Sequence, residues 1–319
     1  MVKVLYLPIG KQDATERAFR AVGAEVSSFD YFSFTGQGRK NKSAANQKVV
    51  DLVKKLNPDL LHMQLQLTDV ISPTTLETVR KICPDIKITN WSGDIRRSVC
   101  KPFIAISKVI DFSLLSNIGQ IDMYRRAGCT NATYWQIGYD RDKNFPKKLN
   151  KFKYDVVFTG NIYSLIFPDA KLREEIANAL KSTFGDRAGI FGSGYKFPTT
   201  SWPMDRLNDL YNDSLCVVSV SNFNDVAHYF SDRLLYCVAS GRPTIAFRFP
   251  GISSYFSDGG DILVARNKDD VVRLVRMCQA NPELAYDIGR NGAMKARAEH
   301  TFESRIMELM HLVGLADKL

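Results

Sequence analysis

Tyr229-Phe230-Ser231-Asp232-Arg233-Leu234-Leu235-Tyr236-Cys237-Val238-Ala239-Ser240-Gly241-Arg242-Pro243-Thr244-Ile245 reads as one helix followed at once by one strand. Ser231 is placed to N-cap a helix over Asp232–Ala239, and Pro243–Phe247 is an apolar run of strand length. A helix that starts at Asp232 aims free N–H groups and the positive end of its dipole outward, an arrangement suited to a diphosphate. Arg233 adds a permanently charged planar fork that can hold phosphate oxygens in two places. The blander reading of Asp232 and Arg233 is a surface helix pairing with its neighbours.

Outward from this unit the same alternation continues in both directions. Toward the C-terminus lie a strand at Asp261–Val264 and helices at Asp269–Gln279, Pro282–Ala298 and Phe302–Val313. Toward the N-terminus lie strands at Leu215–Val220, Ala188–Phe191 and Tyr154–Thr159, with a helix at Ala170–Thr183. The first half repeats the scheme, with strands at Val2–Leu7, Ala24–Phe29, Asp59–Met63, Ile86–Trp91, Asp111–Leu115 and Ala132–Gln136. Helices at Asp13–Val22 and Asn46–Leu56, and further helical stretches, separate them. Such a βαβ series builds a parallel α/β sheet with helices on both faces. Residues 142–154 are polar, Lys-rich and aperiodic, and read as a linker between domains 1–150 and 151–319. The expected fold is therefore two facing Rossmann-like domains, with the last helix free to pack back on the first.

Composition agrees with this size. The 319 residues, 45% of them hydrophobic, are too many for one ordinary domain. The longest apolar runs fall far short of the ~20 residues of a membrane span. The first residues lack the apolar segment and cleavage site of a secretory signal, so a cytoplasmic location is expected. Six scattered cysteines with no C-x-x-C pair suit neither a disulfide scaffold nor a zinc knuckle and read as reduced, mostly buried thiols. Residues 1–150 hold 23 Lys plus Arg against 14 Asp plus Glu, whereas residues 151–319 hold 20 of each. A net charge of +9 concentrated in one half points to an anionic partner for that half.

In parallel sheets ligands sit at the carboxyl ends of the strands. In the second half those ends carry Gly160-Asn161 and Ser193-Gly194-Tyr195-Lys196. The glycines allow a backbone to approach a ligand closely, and Lys196 is long enough to reach a phosphate; tight turns explain the glycines equally well. In the first half they carry Gly10, then His62, Gln64 and Gln66, then Asn90-Trp91-Ser92-Gly93-Asp94-Ile95-Arg96-Arg97. His62 is more readily a core histidine than a catalyst, and Gln64 is a candidate sugar or base contact. Asp94 can orient or deprotonate an acceptor hydroxyl, or cap the following helix. Asp140-Arg141-Asp142 has the spacing of a metal-binding acid pair but reads as a solvated turn, and with no His/Cys/Asp cluster at ligand spacing no metal is expected. Residues 35–50 contain Arg39, Lys40, Lys42 and Lys48 and no acid, directly after Tyr31, Phe32 and Phe34.

Taken in order, the 229–245 segment, Pro250-Gly251-Ile252-Ser253-Ser254-Tyr255-Phe256-Ser257-Asp258-Gly259, Ile288-Gly289-Arg290-Asn291-Gly292 and His300-Thr301-Phe302-Glu303-Ser304-Arg305 resemble the C-terminal domain of the CgeB-like glycosyltransferases, which have the GT-B fold. The resemblance covers roughly residues 155–310. The first half matches in layout only. It implies a nucleotide-sugar donor on the second domain, an acceptor on the first, and retention of configuration. At one point the chain departs from the wider retaining group, where the position five before Gly241 is usually a Glu that binds the donor ribose and another acid lies eight residues earlier. Here those positions are Tyr236 and His228.

Resemblance and helix start together assign Arg233 to leaving-group stabilisation and Ser231, Asp232 and Tyr236 to the donor, and strand-end position adds Gly10, Gly160, Asn161, Ser193, Gly194 and Lys196, a UDP-sugar being favoured and no cofactor needed. Asp94 is the acceptor-side catalytic candidate, and Gln64, Arg39, Lys40, Lys42, Arg96 and Arg97 form an acceptor wall. Cations for phosphates and aromatics for bases make a hydroxylated base in DNA, as in phage-type DNA glycosylation, the leading acceptor. The alternatives are a cell-surface glycan, lipid or protein acceptor, a nucleotide-sugar epimerase, and a non-catalytic two-lobed nucleotide- or sugar-binding protein.

Overall fold

The computed structural model describes residues 1–66, 69–148, 151–162 and 167–319. It divides into two compact units, Met1–Ile137 with Phe302–Leu319, and Gly138–Thr301. Each is an α/β unit around one all-parallel sheet.

In the first unit the strands are β1 (Lys3–Leu7), β2 (Glu25–Ser28), β3 (Leu60–Met63), β4 (Lys87–Ser92), β5 (Phe112–Leu115) and β6 (Ala132–Tyr134), in the order β2-β1-β3-β4-β5-β6. The register sets Tyr6 against His62 and His62 against Thr89. β3 is buried at every position, as expected of a strand covered on both faces. The helix Phe302–Leu312 completes this unit: Ile306, Leu309 and Met310 share a core with Val4, Phe19 and Trp135, and Trp135 Nε1 donates to the Arg305 carbonyl at 2.9 Å.

In the second unit β7 (Tyr154–Thr159), β8 (Ala188–Phe191), β9 (Ser214–Ser219), β10 (Thr244–Phe247) and β11 (Leu263–Ala265) lie in the order β11-β10-β9-β7-β8. Both sheets thus reverse direction of winding beside their first strand, at β1/β3 and at β7/β9. In open parallel sheets that switch point is where a crevice for ligands opens.

Two boundaries differ from the sequence reading. The expected linker 142–154 includes residues 149 and 150, which lie outside the described residues, but its first part is tied into the second unit. The Phe145 N–H donates to Asn208 Oδ1 at 3.1 Å, the Lys147 N–H to Asn212 Oδ1 at 2.7 Å, and Arg242 Nη2 to the Lys147 carbonyl at 2.9 Å. The division between units therefore falls after Ile137, not at residue 150. Because Arg141, Lys143, Lys147 and Lys148 move with it, the first unit carries 21 Lys plus Arg against 15 Asp plus Glu, a net +6, and the second +3. The second difference concerns the basic segment, where a helix begins at Lys42 and runs to Leu56. Only residues up to Asn41 form a turn. Among the described residues no helix is long and apolar enough to cross a membrane, and the six cysteines are unpaired, five of them buried.

Candidate functional site

β7 stops at Gly160, whose φ of +140° is open to glycine alone. A Cβ there would lie 1.7 Å from Arg173 Nη2 and 3.6 Å from Arg233 Cζ. Two guanidinium groups thus converge on one bare α-carbon at the switch point of the second sheet. Next to it, Gly192 (φ +139°) ends β8 so close that a Cβ would meet the Gly160 carbonyl oxygen at 2.1 Å. The glycines of both strand ends are required by contact with each other and with arginine.

Arg173 comes from the first turn of the helix Ala170–Phe184 and is 1% exposed. Its Nη1 donates to Asn222 Oδ1, and its plane lies over the Phe158 ring with Cζ 5.7 Å from the centroid. Its Nε and Nη2 are buried with no partner. Burial first, and the neighbouring Arg233 charge second, pull its pKa down to about 10, so it still carries its charge at neutral pH. Arg233, the second residue of the helix Asp232–Ala239, is half-buried. Among the described residues neither guanidinium forms an ion pair. A buried cation is ordinarily paired, so buried Arg173 without an ion pair, beside half-buried Arg233, suits this place to an external anion.

Ser231 occupies the N-cap position of that helix, as expected, yet its side chain makes no cap hydrogen bond and its Oγ is buried without a partner. The amides around it are committed: the Ser231 N–H donates to Ser221 Oγ at 3.1 Å and the Leu234 N–H to the Ser231 carbonyl at 3.0 Å. Asp232 is committed elsewhere: Oδ1 accepts from the Arg233 N–H at 2.9 Å and Oδ2 from the Tyr236 hydroxyl at 3.1 Å. Burial and this carboxylate push the Tyr236 hydroxyl's pKa far up, so Tyr236 remains a proton donor to Asp232. Asn161 Oδ1 accepts from the Ser193 N–H at 2.9 Å and the Ser193 hydroxyl at 3.1 Å, locking the ends of β7 and β8 together. Gly194 (φ +88°) turns the chain against the Ile162 carbonyl, and the Tyr195 hydroxyl donates to the Gly160 carbonyl at 2.6 Å. Lys196 points away from this cluster: it is exposed and pairs with Glu174 at 3.2 Å. Thr159, Gly160, Asn161, Phe191, Trp202 and Arg233 line a cavity of about 240 Å³ that opens beside the arginines.

The first unit presents its strand ends differently. The Gly10 N–H donates to Asp30 Oδ1 at 3.2 Å, and buried Gln64 Oε1 accepts from the Ile9 N–H at 3.2 Å, so both serve the local frame. Gln66 Oε1 accepts from Ser92 Oγ at 3.2 Å and from Arg96 Nη2 at 3.1 Å, and Arg96 Nη2 also reaches Asp94 Oδ2 at 3.4 Å. Arg96 is only 12% exposed in its side chain, whereas Asp94 is 70% exposed. Arg39, Lys40 and Arg97 are exposed, and among the described residues they have no ion pair. Lys42 is paired with Asp69. The Asp140–Asp142 pair forms a turn in which the Asp142 N–H donates to Asp140 Oδ1 at 3.1 Å.

Sequence reasoning missed Arg173. Its signal was present, since residues 173, 176, 177 and 180 share one helical face and Ile176, Ala177 and Leu180 are the core positions of that helix. An arginine in line with a buried stripe is the anomaly to look for.

Comparison with known proteins places this geometry. Residues 173–311, rather less than half of the chain, match the model of the glycosyl transferase-like family. No curated protein matches the sequence. Among solved structures, Anabaena HepE in complex with UDP and glucose superposes with a TM-score of 0.65 at 11% identity, covering 98% of this chain and 100% of that one. Sucrose-phosphate synthase from Thermosynechococcus elongatus gives 0.61 at 13% identity with both chains covered completely. A DNA-modifying β-glucosyltransferase, solved with and without uridine diphosphoglucose, gives 0.62 at 13% identity over 98% of this chain and 100% of that one. Residues 173–311 therefore carry a glycosyl transferase-like family match, within a chain that has the two-domain GT-B fold of glycosyltransferases.

Proposed function

We propose that the chain transfers a sugar from a nucleoside-diphosphate donor, a UDP-sugar first among them, to a hydroxyl of a polyanionic acceptor, a hydroxylated base in DNA. The observation that carries the donor half is the convergence on Gly160 of Arg173, two of whose nitrogens are buried without a partner, and Arg233, neither of which forms an ion pair among the described residues. When the bond from the anomeric carbon to the diphosphate oxygen breaks, negative charge grows on the leaving phosphate. Two fixed guanidiniums and the Ser231 hydroxyl answer that charge without reorganising. Two positive charges already match a diphosphate, which makes a metal unnecessary. Retention of configuration rests on the resemblance of residues 155–310, and the anomer formed, read by proton NMR, decides it.

The acceptor half rests on the net +6 of the first unit and on exposed Arg39, Lys40 and Arg97 near the carboxyl ends of its strands. Asp94, exposed and steadied by Arg96, is the carboxylate available there to orient an incoming hydroxyl. A DNA-modifying enzyme and two UDP-bound forms of HepE among the structures of this fold add support. The test is release of UDP from UDP-glucose, with and without duplex DNA carrying 5-hydroxymethylcytosine, in the presence of EDTA. DNA-dependent release that EDTA does not stop is expected. Absence of release from every nucleotide sugar tried overturns the donor half. Release that DNA does not stimulate moves the acceptor to a glycan, lipid or protein hydroxyl.

A further inference from the structure

The cavity beside the arginines has a chemically mixed lining. Gly160, Asn161 and Arg233 supply polar and cationic groups, and Phe191, Trp202 and Leu207 supply apolar ones. Trp202 is held firmly in place: its Nε1 donates to the Arg206 carbonyl at 2.9 Å, and its ring meets Phe191 edge to face at a centroid distance of 5.0 Å and 71°. An indole so fixed offers a flat wall already paid for in side-chain entropy. A ligand that uses both parts of the lining must join an anionic group to a flat apolar ring, and a neutral sugar ring alone supplies neither.

Tyr236 is half-buried and its hydroxyl already donates to Asp232, and no carboxylate stands at position 236 to bind a ribose diol. We propose that Trp202 is the residue that recognises the nucleoside of the donor, stacking on its base, and that in this chain stacking replaces ribose-carboxylate pairing as the main hold on the nucleoside. This rests on the donor reading above and adds to it which part of the lining takes which part of the donor.

The experiment separates the two claims by using ligands that carry one part each. Titrations of the full chain with UDP, UMP, ribose 5-phosphate and inorganic pyrophosphate are followed by calorimetry and by tryptophan fluorescence. UDP and UMP should change the emission of the wild type and ribose 5-phosphate and pyrophosphate should not. The change should vanish in Trp202→Phe, which keeps Trp91 and Trp135. Trp202→Ala should weaken UDP about tenfold to a hundredfold, the usual cost of losing one base-stacking aromatic, and leave pyrophosphate binding as it was. Trp202→Phe should restore most of the UDP affinity. Equal weakening of UDP and pyrophosphate in Trp202→Ala, or UDP affinity unchanged, overturns the role of Trp202 while leaving the donor site standing. A wild type that binds neither pyrophosphate nor UDP overturns the donor reading and this one with it.

Discussion

Each unit buries one basic side chain at its switch point, and the two are treated in opposite ways. His62 of β3 has its Nδ1 2.8 Å from Thr89 Oγ1, while Nε2 has no partner and the ring sits among Tyr6, Phe19 and Trp135. Burial lowers its pKa to about 3, so it discharges and becomes part of an aromatic core. Arg173 is buried as deeply and also has nitrogens without partners, but a pKa near 10 leaves it charged at pH 7. A histidine can escape the cost of burial by losing its proton; an arginine cannot. The first solution makes a scaffold, and the second leaves a positive charge that is complete only with a ligand. That contrast separates frame from function more sharply than burial does.

The strongest way to break the comparison is to remove the charge that has no internal answer. Arg233→Ala should lower transfer about 10²–10³-fold, the scale of one lost transition-state donor, with the fold intact. Arg173→Met should lower transfer comparably and abolish stabilisation by pyrophosphate, yet leave the ligand-free melting temperature unchanged or higher. Replacing an uncompensated buried charge by an apolar side chain of similar length relieves repulsion with Arg233. If Arg173→Met instead melts well below wild type while still binding pyrophosphate, Arg173 is scaffold like His62.

The second test acts on the histidine. Its folded pKa lies below its unfolded one, so the unfolded chain binds the extra proton between about pH 6.5 and 3. Stability from neutral His62 is therefore fully present above about pH 6.5 and is lost as pH falls. Linkage gives a loss of about 2–3 kcal/mol by pH 4.5. Denaturant unfolding at pH 7 and pH 4.5, compared between wild type and His62→Phe, isolates this contribution because the other titrating groups are common to both. Equal acid sensitivity of the two proteins would mean that His62 is hydrated or charged in the fold.

The fold was legible because its signals are local and repeated. Buried parallel strands show as short apolar runs and their ends as glycines, and the helix at Asp232 showed in a single serine and its following turn. The candidate site was legible only where chemistry and chain position coincide, as at Gly160, Ser231 and Arg233. What sequence could not show is commitment. Gln64, Gly10 and Lys196 have the right residue type at the right strand end, but Ile9, Asp30 and Glu174, respectively, use their polar groups. Those partners lie 55, 20 and 22 positions away in the chain, and only the fold brings them together. Arg173 was missed for the converse reason: it looks like a helix residue, and its lack of a partner appears only in three dimensions.

The smallest effect sharpens the same distinction between free and committed groups, now on the first unit. Arg39 and Lys40 are exposed at the end of a turn made rigid by Thr35, whose Oγ1 donates to the Tyr31 carbonyl at 2.8 Å and accepts from the Gly38 N–H at 2.9 Å. Lys42, next in line, is paired with Asp69, which holds the Asp69 carboxyl below its ordinary range. On a DNA acceptor each cation that displaces a counterion contributes about 0.9 to the slope of log affinity against log salt. Arg39→Ala/Lys40→Ala should therefore bind duplex DNA a few-fold more weakly at low salt and lower the slope by up to ~2. Lys42→Ala should change it by much less, because its charge is already answered by Asp69. Fluorescence-anisotropy titrations at several salt concentrations read all three slopes. If Lys42→Ala and the double variant flatten the slope alike per charge removed, the ion pair opens for DNA and its pairing in the free protein says nothing about function. If neither changes the slope, phosphates lie elsewhere on the first unit, and Arg97 and Lys101 are the next cations to test.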